Sequence, residues 1–319
     1  MFLEQGVKPE NHFWKYLLGS VFIITASFIG QIPFSIAVLY KSYKEKAVFP
    51  TDSDLALKMF EPNLTLFLVM LSFLFAFAGI YFVIKYMHNQ TLLSVTTARK
   101  KVDWNRIFFS FMLWTIFSII SFLVLYFQSP EKFVWNFKLI PFIILVVVGT
   151  IFIPVQTSTE EYVFRGYLMQ GFANLARNRW FPLMMTSLIF GSMHILNPEV
   201  TKMGYIIMVY YIGTGLFLGV ITLMDDGMEL ALGFHAANNL VGALLVTSDW
   251  TVFQTHSIFK DMSEPSAGAD VILPVVIVYP ILLFIFSKKY NWTNWKEKLT
   301  GRIVDTKEEN EVTDFLNLN

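Results

Sequence analysis

Residues 139–172 read LIPFIILVVVGTIFIPVQTSTEEYVFRGYLMQGF. The first half is apolar enough for a bilayer interior. The run then continues through Thr159, Glu160, Glu161, Tyr162, Val163, Phe164 and Arg165, which places two carboxylates and a guanidinium where hydrocarbon tolerates no charge. A charged residue at the centre of a membrane helix costs roughly 2.5 to 3.5 kcal/mol on the insertion scale. Charge kept at that cost marks a functional site by default. Pro154, just upstream, predicts a bent helix or two helices end to end.

The same apolar character recurs along the chain. Of 319 residues, 55% are hydrophobic and only 15% charged, which sets a soluble domain aside in favour of an all-α, polytopic transmembrane bundle. Stretches long enough for about 30 Å of hydrocarbon lie near 14–40, 64–87, 106–127, 139–172, 180–197, 204–224, 228–247 and 271–287, about eight spans. The first has no clear small-residue cleavage site and is longer than a signal-peptide core, so it reads as a retained span. The polar stretch after Tyr290, ending in Asp305 to Asn319, reads as a flexible cytoplasmic tail.

Composition also excludes chemistry. Net charge is zero and no sustained basic face exists, so nucleic acid is not an expected partner. With no cysteine, thiolate nucleophiles, disulfides and zinc ribbons are excluded. The clusters Arg99–Arg106, Arg177–Arg179 and Lys288–Arg302 fall on one side of the predicted spans, which makes that side, and both termini, cytoplasmic. Lys41, Lys44 and Lys46 oppose this assignment for the first span.

Spans four and five form a hairpin turning near Arg177, so Glu160 and His194 lie level with each other, about 25 Å of helix from the turn. Glu161 and Arg165, four residues apart, share a helix face, whereas Glu160 points about 100° away. Arg165 is expected to neutralise Glu161 and lock the helix, leaving Glu160 to act as a base. A purely structural ion-pair network would have no use for the second carboxylate. Phe190 precedes His194 by four residues and Asn239 follows His235 by four, so Glu160, His194, His235 and Asn239 can converge in one polar cavity between three helices. Asn238 lies about 60° off that stripe. Ser192, two residues from His194, points about 200° away from it and is no serine nucleophile.

Glu-Glu-x-x-x-Arg at Glu160, Glu161 and Arg165, Phe-x-x-x-His at Phe190 and His194, and His-x-x-x-Asn at His235 and Asn239 together resemble the CPBP (ABI) family of type II CAAX prenyl endopeptidases and bacteriocin-processing proteins. The resemblance covers roughly 139–250 and divides the chain into N-terminal spans (1–138), a protease-like core (139–250), and an external loop, last span and polar tail (251–319). It implies an intramembrane endopeptidase acting on a membrane-associated peptide or protein. Glu160 and His194 would activate water while His235 and Asn239 stabilise the oxyanion. It also raises a metalloprotease alternative in which Glu160, His194 and His235 hold zinc. The signature His-Glu-x-x-His is absent, so a metal-independent glutamate mechanism is preferred. The rivals are a non-enzymatic scaffold or bacteriocin self-immunity protein, and a proton-relaying transporter, which would predict an internal repeat that the sequence lacks. The expected location is the bacterial cell membrane.

Overall fold

A computed structural model describes residues 1–303 other than 9, 47, 51, 253 and 267. Every expected apolar stretch is helical: α1 (Phe13–Glu45), α2 (Pro62–Phe82), α3 (Trp104–Gln128), α4 (Leu139–Glu161), α5 (Met169–Ala176), α6 (Trp180–Ser192), α7 (Met208–Asp225), α8 (Glu229–Leu245) and α9 (Tyr279–Tyr290). Among the described residues six helical stretches are long and apolar enough to cross a membrane: Phe13–Glu45, Pro62–Met87, Trp104–Gln128, Leu139–Ala176, Tyr205–Asp225 and Val271–Tyr290. The protein is an integral membrane helical bundle.

The two remaining expected stretches, α6 and α8, form shorter helices. With 13 residues, α6 is about 20 Å long and falls short of the hydrocarbon thickness. Apart from Glu229, His235, Asn238 and Asn239, α8 is apolar, and only Gly242 of its residues is exposed, so it is a core helix sheathed by others. It packs on α3, α4 and α7. The approach to α3 is close enough that a Cβ at Gly233 would lie 2.1 Å from the Ile107 carbonyl oxygen. Trp114 of α3 meets Phe234 of α8 with ring centroids 4.4 Å apart, and Phe217 of α7 stacks on Tyr279 of α9 at 4.5 Å.

Local chemistry sets the helix ends. Asp103 accepts a hydrogen bond from the Asn105 amide (3.1 Å) and Glu61 from the Leu64 amide (3.1 Å), each satisfying a first-turn donor. Arg177 (φ 51°) and Asp226 (φ 52°) adopt the left-handed conformation that closes α5 and α7. The chain stays helical through Pro154; the departure from α geometry comes instead in a π-helical turn over 162–168, directly after the two carboxylates. Such turns are concentrated at functional sites.

One end of the bundle is ion-paired. Arg99 bridges Asp225 (3.0 Å) and Glu229 (3.1 Å), and Arg106 contacts both Asp103 and Asp225. Trp292 is buried there and donates to Asp225 (3.0 Å). Residues 291–303 are likewise docked rather than loose: α10 (Trp295–Thr300) ends at Gly301, whose carbonyl accepts from the Arg179 amide (3.1 Å), and the Ile303 amide donates to the Arg177 carbonyl (3.0 Å). Phe2, Leu3 and Val7 pack with Ile303, Met169 and Leu183, so both described chain ends meet at this end. The rest of the expected tail, 304–319, lies outside the described residues. At the opposite end β1 (Phe133–Trp135), β2 (Val246–Thr247) and β3 (Phe259–Asp261) form a small sheet in the order β1-β3-β2, tying the α3–α4 connection to the segment after α8.

Candidate active site

Glu161 ends α4, and the turn of helix after it brings the Arg165 guanidinium back to 3.0 Å from its Oε1, both side chains being wholly buried. Arg165 also donates to the Gly215 carbonyl (3.1 Å) and lies over the Phe190 ring, 4.4 Å from its centroid. The expected Glu161–Arg165 lock is present, but it is not closed. The same Oε1 accepts a hydrogen bond from His235 Nδ1 (2.7 Å), so Glu161 orients an imidazole as well as neutralising an arginine. A carboxylate oxygen cannot donate, so Nδ1 carries the hydrogen.

Glu160 meets the other side of the same ring, with His235 Nε2 3.4 Å from its Oε2. The two adjacent carboxylates therefore converge on one histidine from a different helix, although their side chains leave α4 in different directions. They differ in access. The Glu160 side chain is 18% exposed and the Glu161 side chain 0%, so only the first presents surface beyond the packed protein.

His194 lies two residues beyond the end of α6. Its Nδ1 donates to the Phe190 carbonyl (2.8 Å), a pure acceptor, which leaves Nε2 as the basic atom of the neutral ring. The ring stacks on Tyr211 (centroids 4.4 Å apart, planes at 21°), and Phe190 stands between the two imidazoles, 4.9 Å from His194 and 5.9 Å from His235. Among the described residues no direct hydrogen bond joins Glu160 to His194, but they are near enough for their charges to interact.

Asn239 is in the same constellation through a residue that motif spacing does not single out. Gln156, one helical turn before Glu160, donates to Glu160 Oε1 (2.7 Å) and accepts from Asn239 Nδ2 (3.0 Å). The only sequence signal is its position four residues ahead of Glu160 on a helix. Asn238, expected off the stripe, accepts from Trp114 Nε1 (3.1 Å) and donates to Asn239 (3.0 Å). Neither Trp114 nor Tyr211 belongs to a recognisable motif; both come from helices outside the three that carry the motifs. Ser192 is exposed and bonds to none of these groups.

The site is some distance inside the bundle. Glu229 belongs to the ion-paired end, and His235 follows it by six residues, about 9 Å along α8. Glu199, in the short helix Pro198–Met203 after His194, accepts from the Val252 amide (2.9 Å) and so ties the segment after α6 to the segment after α8. Burial raises its carboxyl above the usual carboxylate range, partly offset by that bond. As for a metal, no group of three or more His, Asp or Glu side chains among the described residues is arranged to hold one.

Residues 135–241 match the family described as type II CAAX prenyl endopeptidase Rce1-like. The chain is also 27% identical over 248 residues to a protein of Bacillus subtilis (strain 168) named "Uncharacterized protein YyaK", a match covering 77% of this chain and 82% of that protein. No solved structure matches the chain. The matched segment contains all the residues that meet around His235 except Trp114.

Proposed function

Because residues 135–241 of this integral membrane protein match a protease family, we propose that it is an intramembrane endopeptidase hydrolysing a peptide bond in a membrane-associated peptide or protein. The observation that carries the reading is the single imidazole held between a sealed carboxylate and an accessible one: His235 at 2.7 Å from Glu161 and 3.4 Å from Glu160. A packing network needs no water-accessible member, whereas hydrolysis does.

In the proposed reaction a water between Glu160 and His194 Nε2 gives its proton to Glu160, and its oxygen attacks the scissile carbonyl carbon. Asn239, and His235 when both ring nitrogens carry hydrogen, donate to the oxyanion. Glu160 then returns the proton to the leaving amine as the C–N bond breaks. Glu161 and Arg165 hold His235 and the π turn in place. None of these steps calls on a metal. The ion-paired end faces the cytoplasm of a bacterial cell membrane, because Arg99, Lys100, Lys101, Arg106, Arg177 and Arg179 gather there. On this orientation the bond to be cut lies in the cytoplasmic half of the bilayer.

The test is cleavage of fluorogenic peptides, prenylated and unmodified, by the purified protein in detergent. Cleavage that persists with a chelator and vanishes in Glu160→Ala supports this mechanism. Loss with chelator and recovery with zinc moves the site to metal chemistry. A wild-type protein inert toward every peptide and toward co-expressed membrane proteins favours a scaffold or self-immunity role.

A further inference from the structure

The hydrogen bonds that reach Glu160 form a chain with one polarity. Trp114 Nε1 donates to Asn238 Oδ1 (3.1 Å), Asn238 Nδ2 to Asn239 Oδ1 (3.0 Å), Asn239 Nδ2 to Gln156 Oε1 (3.0 Å), and Gln156 Nε2 to Glu160 Oε1 (2.7 Å). An indole N–H can only donate and a carboxylate can only accept. The two termini therefore dictate the orientation of all three amides between them. Turning any one amide over would set oxygen against oxygen and N–H against N–H at its two contacts.

We infer that Gln156 and Trp114 are positioning residues, which through this directed amide chain hold the carboxylate of Glu160 and the amide of Asn239 in fixed relation to each other. The inference rests on the proteolytic reading for its kinetic consequence, but the geometry it asserts does not.

Four features support a role beyond packing. Gln156 is 3% exposed in a helix that is otherwise mostly apolar, and an amide kept in such a place costs free energy unless its hydrogen bonds are made. It spends both its oxygen and its nitrogen on the two residues proposed as base and oxyanion donor, and on no backbone group. Its bond occupies Oε1 of Glu160, so the oxygen turned toward His235 is Oε2. Without it, a glutamate with three side-chain torsions beside an accessible cavity samples other rotamers. At Asn239 the chain uses one N–H and leaves the second for an oxyanion. With the amide reversed, that position would present a carbonyl oxygen to a developing negative charge.

The experiment compares Gln156→Met, which keeps length and bulk but has no hydrogen bond to give, with Trp114→Phe, which removes only the initiating donor and some ring area. Peptide cleavage is read as separate kcat and KM, and Asn239→Ala is combined with Gln156→Met. In parallel, a carboxyl-reactive carbodiimide labels the detergent-solubilised protein and mass spectrometry follows Glu160, with the sealed Glu161 as internal reference. Gln156→Met is expected to lower kcat about 10- to 100-fold with KM within about twofold, because a misoriented base loses rate rather than affinity. Adding Gln156→Met to Asn239→Ala should cost less than the two separately, and Glu160 should label several-fold faster once released from its donor. Trp114→Phe should move the same readouts in the same direction, by less. Wild-type labelling of Glu160 in Gln156→Met together with kcat within about twofold of wild type would overturn the inference, as would full additivity with Asn239→Ala. If the wild-type protein cleaves nothing, the proteolytic reading fails on its own, and the labelling rate of Glu160 still decides whether Gln156 holds it.

Discussion

At the scale of single residues, environment separates two chemically identical side chains. Glu160 and Glu161 are neighbours, yet one takes a neutral amide and an accessible edge of the site while the other takes a guanidinium in a sealed one. Glu160→Ala is expected to abolish cleavage while leaving the folded, membrane-inserted protein intact, and His194→Ala likewise; full activity in Glu160→Ala, measured on a peptide the wild type cuts, would refute the assignment. The sealed pair behaves differently. Arg165→Met leaves a buried carboxylate without its cation, a loss of about 3 to 5 kcal/mol, whereas Glu161→Gln with Arg165→Met should cost less than the sum of the singles. Denaturant unfolding in detergent micelles measures both. The Glu161–Arg165 pair is readable from the sequence, because residues four apart on one helix meet whatever the rest of the chain does. The bond from Glu161 to His235 is not, since it depends on how α8 is turned against α4.

Among the elements, α8 is central, and Gly233 sets its distance from α3. Gly233→Val would drive a side chain into the Ile107 carbonyl, and the two helices would have to separate, pulling His235 and Asn239 from α4. The expected outcome is a lower thermal midpoint in detergent and loss of cleavage together, whereas Gly242→Val, with open space around it, should leave both near wild type. A second junction is made by His88, just beyond α2. Its Nδ1 bonds to Asn11 (3.1 Å) and its Nε2 to Tyr167 (3.1 Å), joining the N-terminal segment to the turn that carries Arg165. Burial, and then the positive charges of Lys15 and Lys8, push His88 down to about 4. The folded protein therefore resists protonating His88 more than the unfolded chain does. Between about pH 6.5 and about pH 4 the unfolded state binds the extra proton, so this contribution to stability is complete above that window and is lost as pH falls through it. His88→Gln should flatten the fall in thermal midpoint across that interval; an unchanged slope would show that His88 is not its source.

Over the whole molecule, an ion-paired end that gathers both described chain ends is opposed by a small sheet, and the polar site lies about 9 Å inside the former. The proposed orientation is directly testable because the chain has no cysteine. In intact cells Lys100→Cys should resist a membrane-impermeant maleimide and Glu131→Cys should react, and the reverse pattern would invert the topology. The sequence alone determines the membrane class, the positions of the helical stretches and the residues of the three motifs, since hydropathy and spacing within a helix are local properties. Hydropathy does not separate the apolar run of α8, which is surrounded by protein, from one that faces lipid. Only the tertiary structure decides that His235 stands between two carboxylates, that Trp292 is buried under Asp225, and that Gln156 and Trp114 belong to the site. Those contacts join residues from different helices, and they follow from the rotation and closest approach of packed helices, which no periodicity along a single segment encodes.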